Sequence, residues 1–288
     1  MITDLFVYNG GMNRERNIFR RFPVILLILF LFVQRYFPRL FSNRTLVIEI
    51  TIRFLLGSLA FFFTYLIDGR RVFSYFGKGT MYCVRRLFIM IVPSIWMSVL
   101  SISSFVMGEA SFVRDWPVRF MQYLLLFLSV GFYEEMSSRV LINDAIVSQF
   151  RGRRSSFFFA AVISALIFGV LHILGTSFSS SIEVACAILK VVSAALVGTC
   201  FLLMFWRKEN ILGSMIIHAL FDFIPSIGNI LFDENFSFGV TYVMDGDMGR
   251  MAIIVYCLEI LWALCILFKI WKSEVSHVDF AALGRKYR

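Results

Sequence analysis

Apolar runs of about twenty residues recur along this chain, separated by short polar connections. That is the length a helix needs to cross the hydrocarbon core of a bilayer, which is about 30 Å thick. The runs fall near 18–37, 45–67, 87–107, 116–142, 157–175, 182–206, 211–232 and 251–271. They predict an all-α polytopic membrane protein of about eight transmembrane helices, or seven if the first does not fully span. Apolar residues make up 59% of the chain and charged residues 16%. Soluble domains average about 45–50% and about 25%, so a soluble fold could not hide this much apolar surface. Soluble globular, disordered and fibrous classes are excluded.

The connections give organisation and orientation. The longest polar stretches, 1–21, 68–86 and 233–250, are too short to fold alone, and no internal repeat or low-complexity tract is present. The chain therefore reads as one transmembrane domain, 1–288. With the N-terminus in the cytoplasm, nineteen Lys and Arg fall in the cytoplasmic segments, among them Arg14, Arg16, Arg70, Arg71, Arg151 and Lys208. Six fall on the other side: Arg35, Arg39, Arg44, Arg114, Arg119 and Arg250. Cytoplasmic connections collect Lys and Arg, so both termini are expected in the cytoplasm. The net charge of +9 is thereby a matter of topology, and no nucleic-acid partner is expected. The basic end 284–288 reads the same way. A basic stretch precedes the first run, but no small-residue cleavage site follows it, which predicts a retained signal anchor. Four cysteines (Cys186, Cys200, Cys257, Cys265) lie in apolar runs and Cys83 in a polar loop, with no CxxC or CxxH spacing. Neither a disulfide framework nor a thiolate metal site is expected.

Ionisable groups inside membrane helices are expensive, roughly 2.5–3.5 kcal/mol each at the centre, so each asks for a reason. Glu49 and Arg53 are spaced i,i+4 and predict a structural ion pair. Glu183 sits at a span edge, Lys190 is long enough to snorkel, and Glu259 has no evident partner. The fourth run ends Gly-Phe-Tyr-Glu-Glu-Met-Ser-Ser-Arg over 131–139. Glu135 and Arg139 are spaced i,i+4 in the better orientation for an ion pair. Glu134 points about 100° away from Glu135 and is left without that cation. A free carboxylate, partly desolvated beside a like charge, suits a general base that activates water. The fifth run carries Phe168 and His172, and the seventh carries His218 and Asp222. The chain has three histidines, and the third, His277, lies in the tail. Two histidines within spans, together with the Glu-Glu-x-x-x-Arg helix, predict one shared polar site. Glu134 precedes Arg153 by 19 positions and His172 follows it by 19, so an antiparallel hairpin sets the two at one depth. His218 is only about ten positions beyond the Arg207–Lys208 pair, which fits that depth less well.

Glu134-Glu135-x-x-x-Arg139, Phe168-x-x-x-His172 and His218-x-x-x-Asp222 stand in this order on three hydrophobic segments. The pattern resembles the CAAX-protease and bacteriocin-processing family of intramembrane glutamic endopeptidases, which includes the Ras-converting prenyl protease. The resemblance covers 134–222, within a motif-bearing core of about 116–232. It implies a peptidase with no metal or other cofactor. In such an enzyme Glu134 would activate water, and His172 would hold that water and take up its proton. Glu135 and Arg139 would brace the helix, and His218 and Asp222 would line the oxyanion side. An ionised Asp cannot donate to an oxyanion, so Asp222 is either protonated there or orients His218, and the i,i+4 spacing favours the second. The implied partners are a peptide or lipidated-protein substrate, prenylated or bacteriocin-like, and membrane lipid. The expected location is the plasma membrane, with the site open to the cytoplasmic side. Three other readings are a metal-dependent membrane hydrolase, a non-catalytic bacteriocin-immunity or scaffold protein, and a transporter. The absence of an inverted repeat speaks against the last.

Overall fold

The apolar runs become helices whose starts are set by local chemistry. The structure, a computed structural model, describes residues 18–41, 45–233 and 242–287; Arg14, Arg16, Arg44 and Arg288 of the orientation count lie outside them. Helix α1 (Pro23–Tyr36) opens on a proline, whose missing N–H has no helical partner to lose at that position. Helix α2 (Leu46–Asp68) is capped by Thr45, whose hydroxyl accepts from the Ile48 N–H at 3.3 Å. Short α3 (Thr80–Leu87) leads through a tight turn into α4 (Val92–Met107). Helix α5 (Trp116–Glu135) runs on through a π-helical turn, Met136–Leu141, into α6 (Ile142–Gln149). Then come α7 (Arg154–Leu171) and α8 (Ser181–Lys208). Glu183, expected only as a span-edge carboxylate, forms a reciprocal cap with Ser180 at the start of α8. Helices α9 (Leu212–Phe223), α10 (Gly246–Ser273) and α11 (Phe280–Arg285) complete the chain.

All regular elements among the described residues are helical, and seven helical stretches are long and apolar enough to cross a membrane. The chain is an all-α, multi-pass integral membrane protein. The fourth expected span, 116–142, is helical throughout but too polar to count among the seven. Its polarity has a packing reason: α5 lies between α2 and α9, and every residue from Met136 to Val147 is buried. A helix wrapped by other helices need not be apolar on all sides. The peripheral α10 shows the opposite case, with Leu258, Leu261 and Phe268 exposed at 58%, 60% and 70%, as a lipid-facing surface requires.

The end of the bundle that carries the basic connections is closed by polar side chains. The Tyr75 hydroxyl lies 2.8 Å from Asp68 Oδ2 and 2.9 Å from Asp144 Oδ2. Tyr287 donates to Asp144 Oδ1 at 2.7 Å and accepts from Asn143 Nδ2 at 3.2 Å. Trp206 Nε1 donates to Asn143 Oδ1 at 2.8 Å. Arg71 pairs with Asp68 and Glu209 at 3.3 and 2.7 Å, and Lys286 also pairs with Glu209. The C-terminal stretch, expected as a topology signal, is thus bound into the fold through a buried Tyr287. Cys83, expected in a polar loop, is fully buried on α3. The five cysteines are free.

Candidate active site

The site begins at the junction of α5 and the π turn. A π turn holds one residue more than an α turn and often marks a functional position; here it follows Glu135 directly and contains Arg139. Arg139 Nη2 lies 3.2 Å from Glu135 Oε1, with both side chains at 0% exposure, so the expected ion pair is present and fully buried. The approach is not aligned as a hydrogen bond: Arg139 Nε, Nη1 and Nη2, and Glu135 Oε2, have no hydrogen-bond partner among the described residues. The guanidinium is held instead by ring faces, 4.1 Å from the Phe168 centroid and 5.8 Å from that of Phe201. Gly198 of α8 makes room for this stack, because a Cβ there would stand 3.0 Å from both Arg139 Nη2 and Phe168 Cδ1.

Helix α9 brings in the second motif. A Cβ on Gly131 would stand 2.6 Å from the Met215 carbonyl oxygen, so the glycine lets α9 cross α5 at backbone contact. That crossing sets His218 against both glutamates. Its Nδ1 lies 2.8 Å from Glu135 Oε1. Its Nε2 lies 3.5 Å from Glu134 Oε2 and 3.4 Å from Asp222 Oδ2. Phe201 stacks on the ring at 5.5 Å with planes 19° apart. Glu135 is therefore shared between Arg139 and His218, while Glu134 is free of Arg139, as its azimuth predicts, and faces His218. A bare lone pair on Nε2 aimed at two carboxylates would be repelled, so the cluster holds a proton on Nε2 or on one of those oxygens. Asp222 stands beside His218 one turn along α9, as the i,i+4 spacing predicts.

His172, just past the end of α7, supplies the third element. Its Nδ1 lies 2.7 Å from the Phe168 carbonyl oxygen. A carbonyl only accepts, so Nδ1 carries the hydrogen and Nε2 keeps its lone pair. The imidazole contacts the rings of Phe168 and Tyr242 at centroid distances of 4.7 and 5.5 Å. Glu134 and His172 line one cavity of about 390 Å³, with Ser137, Tyr133 and Tyr242. That volume holds several waters at about 30 Å³ each, or a short stretch of peptide. The two residues expected to meet across the hairpin thus line the same cavity. His218 and Asp222 stand outside that cavity wall, and His218 reaches it through its contact with Glu134 at 3.5 Å.

Several residues here were read otherwise from the sequence. The Glu49–Arg53 pair forms, at 3.4 Å, but both residues stand in the cavity wall. Gln34 and Arg35, the polar interruption of the first run, line it too. Lys190 does not snorkel; its Nζ sits 4.4 Å over the Tyr242 ring. Glu259 accepts from Ser193 Oγ at 2.8 Å and lies apart from this cluster. Nothing in the sequence singled out Tyr242. The cavity wall comes from the end of α1, the start of α2 and the end of α7. The cavity thus lies at the end of the bundle that carries the 37–45 connection, away from the closed polar end. Among the described residues no three His, Cys, Asp or Glu side chains are arranged to hold a metal ion.

Comparison with known proteins bears on the same segment. Residues 116–224 match the family model described as Rce1-like, type II CAAX prenyl endopeptidase Rce1-like. This is consistent with the CAAX-protease and bacteriocin-processing family that the three motifs resemble. No curated protein and no solved structure matches the chain.

Proposed function

We propose that this protein is a membrane-embedded, glutamate-dependent endopeptidase, with Glu134 as the base that activates water. The observation that carries the reading is the convergence of three motif-bearing helices on one point. His218 contacts Glu134, Glu135 and Asp222 within 3.5 Å, and Glu134 shares its cavity with His172. Peptide hydrolysis needs a base for the water, a donor for the oxyanion and a proton for the leaving amine. In this reading Glu134 takes a proton as the water oxygen attacks the scissile carbonyl. His172 accepts a hydrogen bond from that water through Nε2. His218, held at Nδ1 by Glu135, donates from Nε2 to the tetrahedral oxygen once the substrate carbonyl enters. Asp222 orients His218 and does not itself donate. Glu134 then returns the proton to the amine as the C–N bond breaks. Glu135, Arg139 and Phe168 are positioning residues: together they fix the imidazole and the helix that carries the base.

The match to type II CAAX prenyl endopeptidases supports a peptide or lipidated-protein substrate met within the membrane; the plasma membrane is the location that belongs to this reading. The test is cleavage of fluorogenic peptides, prenylated and unprenylated, by purified protein in lipid. Wild type is compared with Glu134→Gln, with and without a chelator. Chelator-resistant turnover that is lost in the variant is expected. Turnover retained in Glu134→Gln would overturn the assignment of the base, and chelator-sensitive turnover would move the chemistry to a metal.

A further inference from the structure

Near the closed end of the bundle a second cavity, of about 300 Å³, opens between α3, the start of α4 and the end of α10. It shares no lining residue with the cavity beside Glu134. Its rim is cationic: Arg85 and Arg86, from the last turn of α3, and Lys269 of α10 are all exposed there. Arg86 Nε lies 3.0 Å from Glu274 Oε1, and its guanidinium sits 5.4 Å from the Tyr82 ring centroid. Glu274 is 1% exposed on its side chain and is engaged elsewhere as well. It accepts from the Tyr82 hydroxyl at 2.6 Å and lies 3.4 Å from Arg207 Nε. One carboxylate shared between two arginines leaves the rim with an excess of positive charge. Arg85 and Lys269 have no ion pair among the described residues.

The walls below this rim are apolar. Ile266 and Ile270 of α10 are buried, while Phe88 and Val92 across from them are 56% and 45% exposed. Trp96 and Val99, at i+4 and i+7 from Val92, continue that exposed apolar face along α4. Trp262 Nε1 donates to the Ile89 carbonyl oxygen at 3.2 Å, which ties α10 to the turn before α4 and fixes the width of the cleft. The volume equals roughly ten waters at about 30 Å³ each, room for a small headgroup and none for a folded partner. Cations at the end of membrane-spanning helices, above an apolar wall that runs along one of them, match an amphiphile with an anionic head. Basic pockets between transmembrane helices take such headgroups, and the planar fork of an unpaired arginine suits two phosphate oxygens at once.

We infer that this cleft binds one anionic phospholipid. Arg85 and Lys269 pair with its phosphodiester, Arg86 adds charge from its place on Glu274, and the acyl chains lie along Phe88, Val92 and Trp96. Because the cations come from α3 and α10, the bound lipid bridges the peripheral α10 to the helices it packs beside. The site is independent of whether the chain cleaves anything.

The test is the thermal midpoint of the purified full chain in neutral detergent, titrated with phosphatidylglycerol, phosphatidylcholine or inorganic phosphate. A ligand of the folded state raises the midpoint by mass action, and we expect a saturable rise with phosphatidylglycerol alone. An equal rise with phosphatidylcholine overturns the selection by charge, and an equal rise with inorganic phosphate overturns a lipid as the occupant. Arg85→Gln and Lys269→Gln, at exposed positions, should each weaken the apparent affinity about fivefold, which is about 1 kcal/mol for one cation near an anionic lipid. Lys272→Gln removes the same charge from an exposed position of α10 outside the cleft and should leave the affinity unchanged. Val92→Trp fills the apolar wall with every charge in place and should weaken it. Full affinity in Arg85→Gln and Lys269→Gln, or an equal loss in Lys272→Gln, overturns the cationic rim as the site. Full affinity in Val92→Trp overturns the acyl seat. Should a variant not fold, native mass spectrometry of the wild type still decides the selectivity: retained phosphatidylglycerol in excess over phosphatidylcholine is expected, and no excess overturns the inference.

Discussion

Two polar clusters are built on the helical run from Trp116 to Gln149, and they are finished to different standards. Around Asp144, the hydroxyls of Tyr75 and Tyr287, the Asn143 amide and the Trp206 indole N–H all find partners between 2.7 and 3.2 Å. Around Glu134 the arrangement is looser. Glu134 Oε2, Glu135 Oε2 and the three Arg139 nitrogens lack hydrogen-bond partners among the described residues, and Glu134 approaches His218 only to 3.5 Å. Buried polar groups are costly unless satisfied. A cluster that only holds helices together is closed by its own side chains, whereas one that must take in water and a carbonyl keeps bonding capacity in reserve. Arg71 Nη1 and Arg207 Nε at the closed end lack hydrogen-bond partners too among the described residues, so the contrast holds for the groups around Asp144 itself, where it accords with a division between a closed structural cluster and the proposed site.

The comparison can be broken most directly at Glu134. Glu134→Gln keeps the shape and removes the base. We expect turnover to fall by roughly 10²–10⁴-fold, with the thermal midpoint in lipid unchanged; unaltered turnover would place the loose cluster among structural ones. Next is Arg139→Ala. It leaves Glu135 buried without its cation, and loss of one partner of a buried pair costs about 3–5 kcal/mol. Denaturation in detergent should show a lowered midpoint, and an unchanged midpoint would mean that the ring faces, not the charge, stabilise this position. A smaller effect is expected in the sealed cluster. Tyr287→Phe deletes the hydroxyl shared by Asp144 and Asn143, at a cost of about 1–3 kcal/mol. It should lower stability while leaving the rate per folded enzyme intact. A loss of rate at full stability would contradict the division of labour.

The smallest effect concerns Glu209, in the turn between α8 and α9. Burial works to raise its carboxyl, but the bonds to Lys286 and Arg71 outweigh burial and hold it below the usual carboxylate range. A lowered carboxylate contributes stability that is fully present above the ordinary value of about 4.3 and is lost as pH falls through the folded value. Lys286→Ala should weaken this contribution by about 0.2–1 kcal/mol, the range for a partly exposed pair. Thermal midpoints followed from neutral to acid pH should converge for wild type and variant, and a constant gap would show that Lys286 acts by packing alone.

The amino-acid sequence by itself determined the membrane class and the helical architecture, and it singled out the residues of the proposed site. Each of these is written in local spacing. Hydrophobic length sets the spans, i,i+4 spacing sets the Glu135–Arg139 and His218–Asp222 neighbours, and costly ionisable groups stand out against an apolar background. Tertiary structure alone decided which groups close on one another and where the cavity opens. Glu49, Arg53, Lys190 and Tyr242 join the site region from helices and a connection remote in the chain, and no spacing rule connects them to Glu134. The hydropathy of 116–142 could not show that this helix is enclosed from Ser129 onward, because burial depends on neighbours contributed by α2 and α9. Nor could the count of basic residues show which end of the bundle is plugged, because the plug is made from Tyr75, Asn143, Asp144, Trp206 and Tyr287. These residues lie as much as 212 positions apart, and only the folded chain brings them within hydrogen-bond distance.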